Sequence, residues 1–309
     1  MRVAYDVGPL LDEPTGVGRY TAELASGLEA RGIELVRYAV ALRGSAPGIA
    51  ARWRIPARAA QVSWKRWGRP SIESLVGAVD LVHATNFVLP SLRRAPGVVT
   101  VHDLSFWRSD TFPGGERLRA LVPWSVDRAS AVVVPTGAVG EEVEAHLGVP
   151  SERIHVTHEG VSPRFFGATP LADAALEGLG IRRPYAVAVG TLEPRKNLGR
   201  LLQAWTDAAD SLAIWTLVLA GPRGWGPQLP PVPGVVPIGW VGDVTLPGLL
   251  AGAEFFCYPS LYEGFGLPPL EAMAAGTPAV VGSYSAAPEV VGDACLLSTR
   301  ATRPPFEKR

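Results

Sequence analysis

The sequence predicts an α/β protein made of two doubly wound parallel sheets. Three observations carry that expectation. Short apolar runs of strand length alternate with amphipathic stretches along the chain. The alternation is interrupted once, between about Val161 and Arg183, by a Pro- and Gly-containing segment without a strong strand. The length of 309 residues suits two domains of about 150 each.

In the first half, strands are expected at Arg2–Val7, Ile33–Val40, Leu81–Ala84, Val98–His102, Ala131–Pro135 and Ile154–His158. Helices are expected between them, for example at Val17–Arg31 and Val139–Leu147. The second series of strands is Tyr185–Gly190, Leu217–Ala220, Val235–Ile238, Phe255–Pro259 and Ala279–Val281. Its helices are Leu198–Ala209, Leu246–Ala251 and Pro268–Ala275. The expected division is therefore a Rossmann-like domain over 1–165, a linker over 166–183 and a second Rossmann-like domain over 184–309. In such sheets ligands bind just beyond the carboxyl ends of the strands, and the cleft between two such domains is the expected site.

Composition narrows the classes. Hydrophobic residues make up 47% and charged residues 19%, enough apolar material for a sizeable core. Lys+Arg and Asp+Glu cancel at 29 each, which argues against a dedicated nucleic-acid binder. Only three basic residues are lysines, Lys65, Lys196 and Lys308, so a lysine inside a motif stands out. Cys257 and Cys295 sit among apolar neighbours without metal-ligand spacing, which points away from a disulfide framework or zinc site. The start MRVAYDVGPLL does not read as a signal peptide, and no apolar run reaches membrane-spanning length. A cytoplasmic protein, or one held peripherally on the inner face of the cell membrane, is the expectation.

The strongest motif runs from Tyr258 to Glu271, YPSLYEGFGLPPLE. A strand ends, a glycine-containing loop follows, and Pro268-Pro269 opens a helix. The amides of Phe265, Gly266 and Leu267 can offer donors at that helix N-terminus to an anionic ligand. Glu263 and Glu271 could grip hydroxyls of a sugar and a ribose; alternatively, Glu271 complements the helix dipole and the glycines only make a turn. A second motif, GTLEPRKN over 190–197, also follows an apolar strand. Arg195 and Lys196 entering a helix oppose its dipole, so a diphosphate would compensate them; solvated surface charge is the other reading. Asn197 is placed to cap.

A third stretch, PTGVGRYT over 14–21, resembles half of a dinucleotide fingerprint, with Gly16 and Gly18 but Thr21 where a third glycine would sit. The second strand ends in RYAV without the acidic residue a nicotinamide cofactor requires, so no cofactor is expected. His102 ends the strand of VTVHD over 99–103, where it is either a cleft residue or a core hydrogen-bonder. His83 also ends a strand, while His146, His155 and His158 read as structural. From Arg37 to Arg69, cations interleave with Trp53, Trp64 and Trp67, and no acid lies between Glu34 and Glu73. That stretch is either a solvated helix or a contact for an anionic membrane or lipid-linked phosphate. No Asp-X-Asp pair is present to hold a divalent metal on a diphosphate, and no metal is expected.

Together these segments resemble family 4 glycosyltransferases, retaining enzymes of the GT-B fold. The matching pieces are GVGRYT at 16–21, VHD at 101–103, GTLEPRKN at 190–197 and the two glutamates of EGFGLPPLE, in the family's order. The resemblance implies that Arg195 and Lys196 bind the donor diphosphate, flanked by the Gly16–Gly18 loop. It implies that Glu263, with Gly264, Phe265, Gly266 and Leu267, holds the donor sugar and that Glu271 holds the ribose. His102 would sit beside the reacting carbon, and His102 and Glu263 are the catalytic candidates. Transfer would be metal-independent, from a nucleotide-diphosphate sugar to a glycan or lipid-linked acceptor. The wording of GTLEPRKN and YPSLYEGFGLP is most similar to mannosyltransferases, which suggests GDP-mannose.

The sequence departs from the family after APEVVGDA at 287–294, where members continue with further helices. The second domain is therefore expected to be C-terminally shortened, with weak or absent transfer. A non-catalytic nucleotide-sugar-binding remnant and a nucleotide-sugar epimerase or hydrolase on the same fold remain alternatives at this point.

Overall fold

The computed structural model describes residues 1–11 and 16–298. The chain divides into two compact units at Glu159/Gly160. The first carries β1 (Arg2–Asp6), β2 (Glu34–Val40), β3 (Ala51–Trp53), β4 (Leu81–Ala84), β5 (Gly97–Thr100), β6 (Ala131–Val134) and β7 (Ile154–Val156). They form one sheet in the order β3-β2-β1-β4-β5-β6-β7, and every pairing is parallel. The second unit carries β8 (Tyr185–Val189), β9 (Thr216–Ala220), β10 (Val235–Gly239), β11 (Phe255–Tyr258), β12 (Ala279–Gly282) and β13 (Leu296–Ser298). Its order is β10-β9-β8-β11-β12-β13, again parallel throughout.

These strands form because a parallel sheet covered by helices needs apolar residues on both faces. β9, TLVLA, is buried at every position, and β8, YAVAV, at its first four. Leu217 and Leu219 pack with Leu198, Leu202 and Trp205 of the helix Leu198–Asp207. In the first unit Val82, Val99 and Val132 pack with Val122 and Val126 of the helix Gly115–Arg128. Each fully buried aliphatic side chain is worth about 1.5–3 kcal/mol. Local chemistry sets the helix ends: Thr136 Oγ1 accepts the Val139 amide at 3.2 Å, and Gly148 closes that helix in the left-handed region.

Strand order reverses at β1/β4 in one sheet and at β8/β11 in the other, the topological switch points. Both predicted motif loops of the second half, 190–197 and 259–266, follow the two strands that flank its switch point.

The structure differs from expectation in several places. The segment 166–183, expected as a linker, packs with the second unit: it contains the helix Asp173–Gly178, buries Leu176 and Ile181, and is fastened by Arg183 to the carbonyls of Leu171 and Gly252. β3, at three residues, and the helix Gly115–Arg128, with Pro123 inside it, were not expected. Asn197 does not cap its helix with its side chain, which instead donates to the Pro259 carbonyl at 3.2 Å. The expected C-terminal tail lies largely outside the described residues, which end at Ser298.

Candidate active site

Two loops are stitched together at the carboxyl ends of β8 and β11. After β8 the backbone of Gly190 and that of Gly221, beyond β9, approach so closely that a Cβ on Gly221 would collide with the Gly190 carbonyl. Gly221 has φ +152° and Gly190 +145°, so glycine is required on both counts. The chain then makes a short 3₁₀ turn, Pro194–Lys196, and Asn197 adopts φ +56°. The Leu261 amide donates to the Arg195 carbonyl at 2.8 Å, which fixes this turn to the loop that follows β11.

The side chains of that turn form a buried ion chain. The Lys196 ammonium, 8% exposed, donates to Glu263 Oε1 at 2.6 Å and to the Tyr258 hydroxyl at 2.8 Å. It also lies 4.7 Å from the centre of the Tyr258 ring. Arg195 Nη1 donates to Glu263 Oε2 and to the Tyr262 carbonyl, while its Nε lies 2.5 Å from Glu193 Oε1. The second oxygen of Glu193 accepts Trp225 Nε1–H at 3.1 Å.

Burial alone would raise the Glu263 carboxyl, but Arg195 and Lys196 outweigh it and pull it down to about 2. Burial pulls the Lys196 ammonium below its ordinary value, against the opposing pull of Glu263. Burial also pushes the Tyr258 phenol well up, so it stays a neutral partner. A small pocket beside this chain is lined by Val189, Gly190, Leu192, Lys196, Tyr258 and Ser260.

The helix Leu267–Ala274 begins directly after this loop, with Gly266 at φ +101° as its N-cap and two prolines in its first turn. Gly264, Phe265 and Gly266 are buried, and the Tyr284 hydroxyl donates to the Phe265 carbonyl at 3.3 Å. Glu271 is 4% exposed and is the fifth residue of the helix, one position deeper than expected, because the helix starts at Leu267 rather than Pro268.

In the first unit, the strand ends around the β1/β4 switch point gather polar groups of their own. His102 Nε2 donates to the Thr85 carbonyl at 2.8 Å, and Nδ1 lies 3.7 Å from Glu159 Oε1. The Tyr20 and Phe87 rings meet the imidazole edge to face, with centroids 4.8 and 5.9 Å away. Phe87 holds φ +61°, a strained position for an L-residue. His83 Nε2 shares a hydrogen bond with Thr100 Oγ1 at 2.9 Å, and burial lowers its pKa to about 4. Gly16 and Gly18 open the helix Gly16–Glu29. Thr21, where a dinucleotide fingerprint would have glycine, is fully buried; its hydroxyl donates to the Val17 carbonyl and its own carbonyl accepts from Tyr5.

Comparison with known proteins assigns both units. Residues 14–165 match the profile of Glycosyltransferase Family 4, and residues 183–304 match that of Glycosyl transferases group 1. The chain belongs to the family 4 glycosyltransferases. Among curated relatives, O-antigen chain mannosyltransferase B of Escherichia coli is 34% identical over 237 residues, 71% of this chain and 61% of that protein. O-antigen chain mannosyltransferase RfbU of Salmonella typhimurium is 28% identical over 233 residues, with the same two coverages. The chain thus spans about 61% of the length of these relatives. Among solved structures, Anabaena HepE in complex with UDP-glucose superposes with TM-score 0.70 at 18% identity, over 97% of this chain and 86% of that one. WaaG, a glycosyltransferase involved in lipopolysaccharide biosynthesis, gives TM-score 0.70 at 17% identity, over 99% and 86%. Both share the GT-B fold of two Rossmann-like domains.

Of the sequence-predicted site residues, the structure brings Arg195, Lys196 and Glu263 into direct contact and sets Glu271 in the helix beyond them. Gly16, Gly18 and His102 belong to the other unit. Sequence reasoning did not single out Glu193, Tyr258, Trp225, Tyr20 or Glu159 as functional. Glu193 had a signal, since it stands two residues before Arg195 in the same motif. Among the described residues no cluster of three His, Cys, Asp or Glu could hold a metal ion, and no helix is long and apolar enough to cross a membrane.

Proposed function

We propose that this glycosyltransferase moves a hexose, with mannose favoured, from a nucleotide-diphosphate sugar to a glycan or lipid-linked acceptor, with retention and without a metal. The observation that carries the reading is the Arg195–Lys196–Glu263 cluster at the β8/β11 switch point. The mannosyltransferase names of the curated relatives favour GDP-mannose as donor.

The physical task is to break an anomeric C–O bond as negative charge builds on the departing diphosphate. Arg195 and Lys196 are the groups that stabilise that charge. An ammonium has three N–H bonds, and Lys196 spends two, on Glu263 and Tyr258, leaving one for a phosphate oxygen. The positive end of the helix Leu267–Ala274 adds to the same field. Glu263, ionised at all ordinary pH, accepts a sugar hydroxyl with its remaining lone pairs, and Glu271 holds the ribose. Gly16 and Gly18 flank the diphosphate or acceptor, and His102 stands beside the sugar. The sequence places no residue as an obvious covalent nucleophile, so same-face displacement guided by the leaving phosphate is the mechanism proposed.

The partner surface lies on the first unit. In the basic stretch Arg37 and Arg52 are spent on Glu29 and on backbone carbonyls, and Trp64 is buried. What stays exposed is Val62 and Trp67 of the helix Ala57–Trp67, together with Arg54, Arg58, Arg66 and Arg69. That mixture of apolar and cationic side chains fits the anionic inner face of a membrane, where a lipid-linked acceptor would be met.

Incubation with radiolabelled GDP-mannose, UDP-glucose and dTDP-glucose, each with undecaprenyl-linked glycan, tests the reading. Transfer from GDP-mannose that survives EDTA is expected. Transfer abolished by EDTA and restored by Mg²⁺ or Mn²⁺ removes the metal-free mechanism, and donor consumption without acceptor removes the transferase.

A further inference from the structure

The first helix carries Tyr20, which the functional reading leaves without a role. Its hydroxyl shares a hydrogen bond with Thr100 Oγ1 at 3.1 Å, at the end of β5, and that oxygen is also 2.9 Å from His83 Nε2, near the end of β4. Tyr5 meets the His83 ring edge to face at 5.6 Å and donates to the Thr21 carbonyl at 2.8 Å, so consecutive residues of the helix are tied to β5 and β1, the strands on either side of β4. The ring of Tyr20 stands 4.8 Å from the His102 ring at an interplanar angle of 85°. One side chain therefore links the turn that starts at Gly16 with the imidazole.

The bonding leaves few alternatives. A hydroxyl donates once and accepts up to twice, so Thr100 Oγ1 either accepts from both Tyr20 and His83 or donates to one and accepts from the other. Burial raises the Tyr20 phenol to about 12 and lowers His83 to about 4, so near neutral pH both are uncharged and the chain is a neutral, satisfied network. The His102 ring is held in turn by the Thr85 carbonyl on Nε2, Glu159 near Nδ1, and the Tyr20 and Phe87 rings. Of these holds, Tyr20 alone comes from the helix that carries Gly16 and Gly18.

We propose that Tyr20 is a positioning residue of the transfer reaction: pinned by Thr100 and His83, it sets the His102 ring and the Gly16–Gly18 turn in fixed register. The proposal rests on the reading of His102 as a residue beside the donor sugar. It predicts an effect on turnover rather than on donor affinity, because the ion chain belongs to the second unit.

The test uses the whole chain with Tyr20→Phe, which keeps the ring and removes the anchor, and Thr100→Val, which removes the shared oxygen. With ¹⁵N-histidine labelling, the His102 ring signals of both variants are expected to shift or broaden while those of His146 and His155 stay in place. In the transfer assay kcat is expected to fall about tenfold with the donor KM within about twofold. Unmoved His102 signals with kcat within about twofold of wild type overturn the proposal. So does a loss of activity that follows thermal stability alone and is not reproduced by Thr100→Val. If the wild-type chain transfers no sugar while the His102 signals still move, the positioning of the ring stands and the transferase reading falls.

Discussion

Glu263→Gln is the sharpest probe of the buried ion chain. Gln keeps the size and one acceptor oxygen but removes the charge shared by Arg195 and Lys196. Holding the carboxyl at about 2 rather than at the ordinary 4.5 is worth about 3 kcal/mol of folding free energy at neutral pH. Breaking a buried pair by removing one partner gives about 3–5 kcal/mol from general experience, in the same range. In the variant, Arg195 keeps Glu193, but Lys196 loses its carboxylate partner and keeps only neutral groups, the amide oxygen and the Tyr258 hydroxyl and ring. At about 2–4 °C per kcal/mol, the melting temperature at pH 7 should fall by about 6–12 °C. The sign of the pH dependence follows: the folded carboxyl is depressed, so its contribution is present above 4.5 and is lost as pH falls through about 2. The gap between wild type and variant should therefore narrow on acidification. Calorimetry of wild type, Glu263→Gln, Lys196→Met and the double variant measures it. The double variant should recover part of the loss, because the stranded ammonium is gone. A single variant that melts within about 2 °C of wild type at pH 7 would refute the reasoning.

Two further outcomes are expected. Lys196→Ala should weaken nucleoside-diphosphate binding by about 1.5–3 kcal/mol, or about 12- to 150-fold in Kd by calorimetric titration; an unchanged Kd would make Lys196 a structural charge only. Asp6, at the end of β1, is raised to about 6 by burial, against the downward pull of the Gly8 amide. A raised carboxyl contributes stability below its unfolded value of 3.8 that is lost as pH rises through about 6. Asp6→Asn should therefore melt above wild type at pH 7 with the difference closing near pH 4, and equal melting at both would exclude Asp6 from the pH response.

The sequence made the two sheets legible because parallel strands buried on both faces read as unbroken apolar runs, as in TLVLA and YAVAV. The loops at the β8/β11 switch point were legible for a related reason: GTLEPRKN and the loop after YPS follow directly on such runs. What could not be read is pairing across distance. Nothing local says that Lys196 meets Tyr258, 62 residues on, or that Trp225 reaches back to Glu193. The segment 166–183 misled because its helix is short and depends on contacts with Gly248 and Gly252, which periodicity cannot show. In the basic stretch, counting cations could not separate Arg52, spent on the carbonyls of Ala41, Arg43 and Gly44, from exposed Arg58.

The ion chain is poorly explained as a device for stability. A chain of two cations and two carboxylates, with Lys196 and Glu263 buried and Arg195 and Glu193 partly so, could be replaced by apolar side chains of similar volume with little loss and often some gain. Yet Lys196, one of three lysines in the sequence, is buried there beside Arg195, at the strand ends where an α/β sheet receives its ligands. Glu193 and Glu263 hold the two cations at fixed distances while balancing their charge. A cation in water must shed and reorient its solvent when a phosphate arrives; one held by carboxylates in a protein does not. On the proposed reading, Glu263 would have two tasks that its position makes compatible, orienting the donors of the diphosphate before it binds and offering its remaining lone pairs to the sugar afterwards. Its substitution should then separate the two in kinetics: binding of a free nucleoside diphosphate changes less than turnover of the sugar nucleotide, because only the latter needs both.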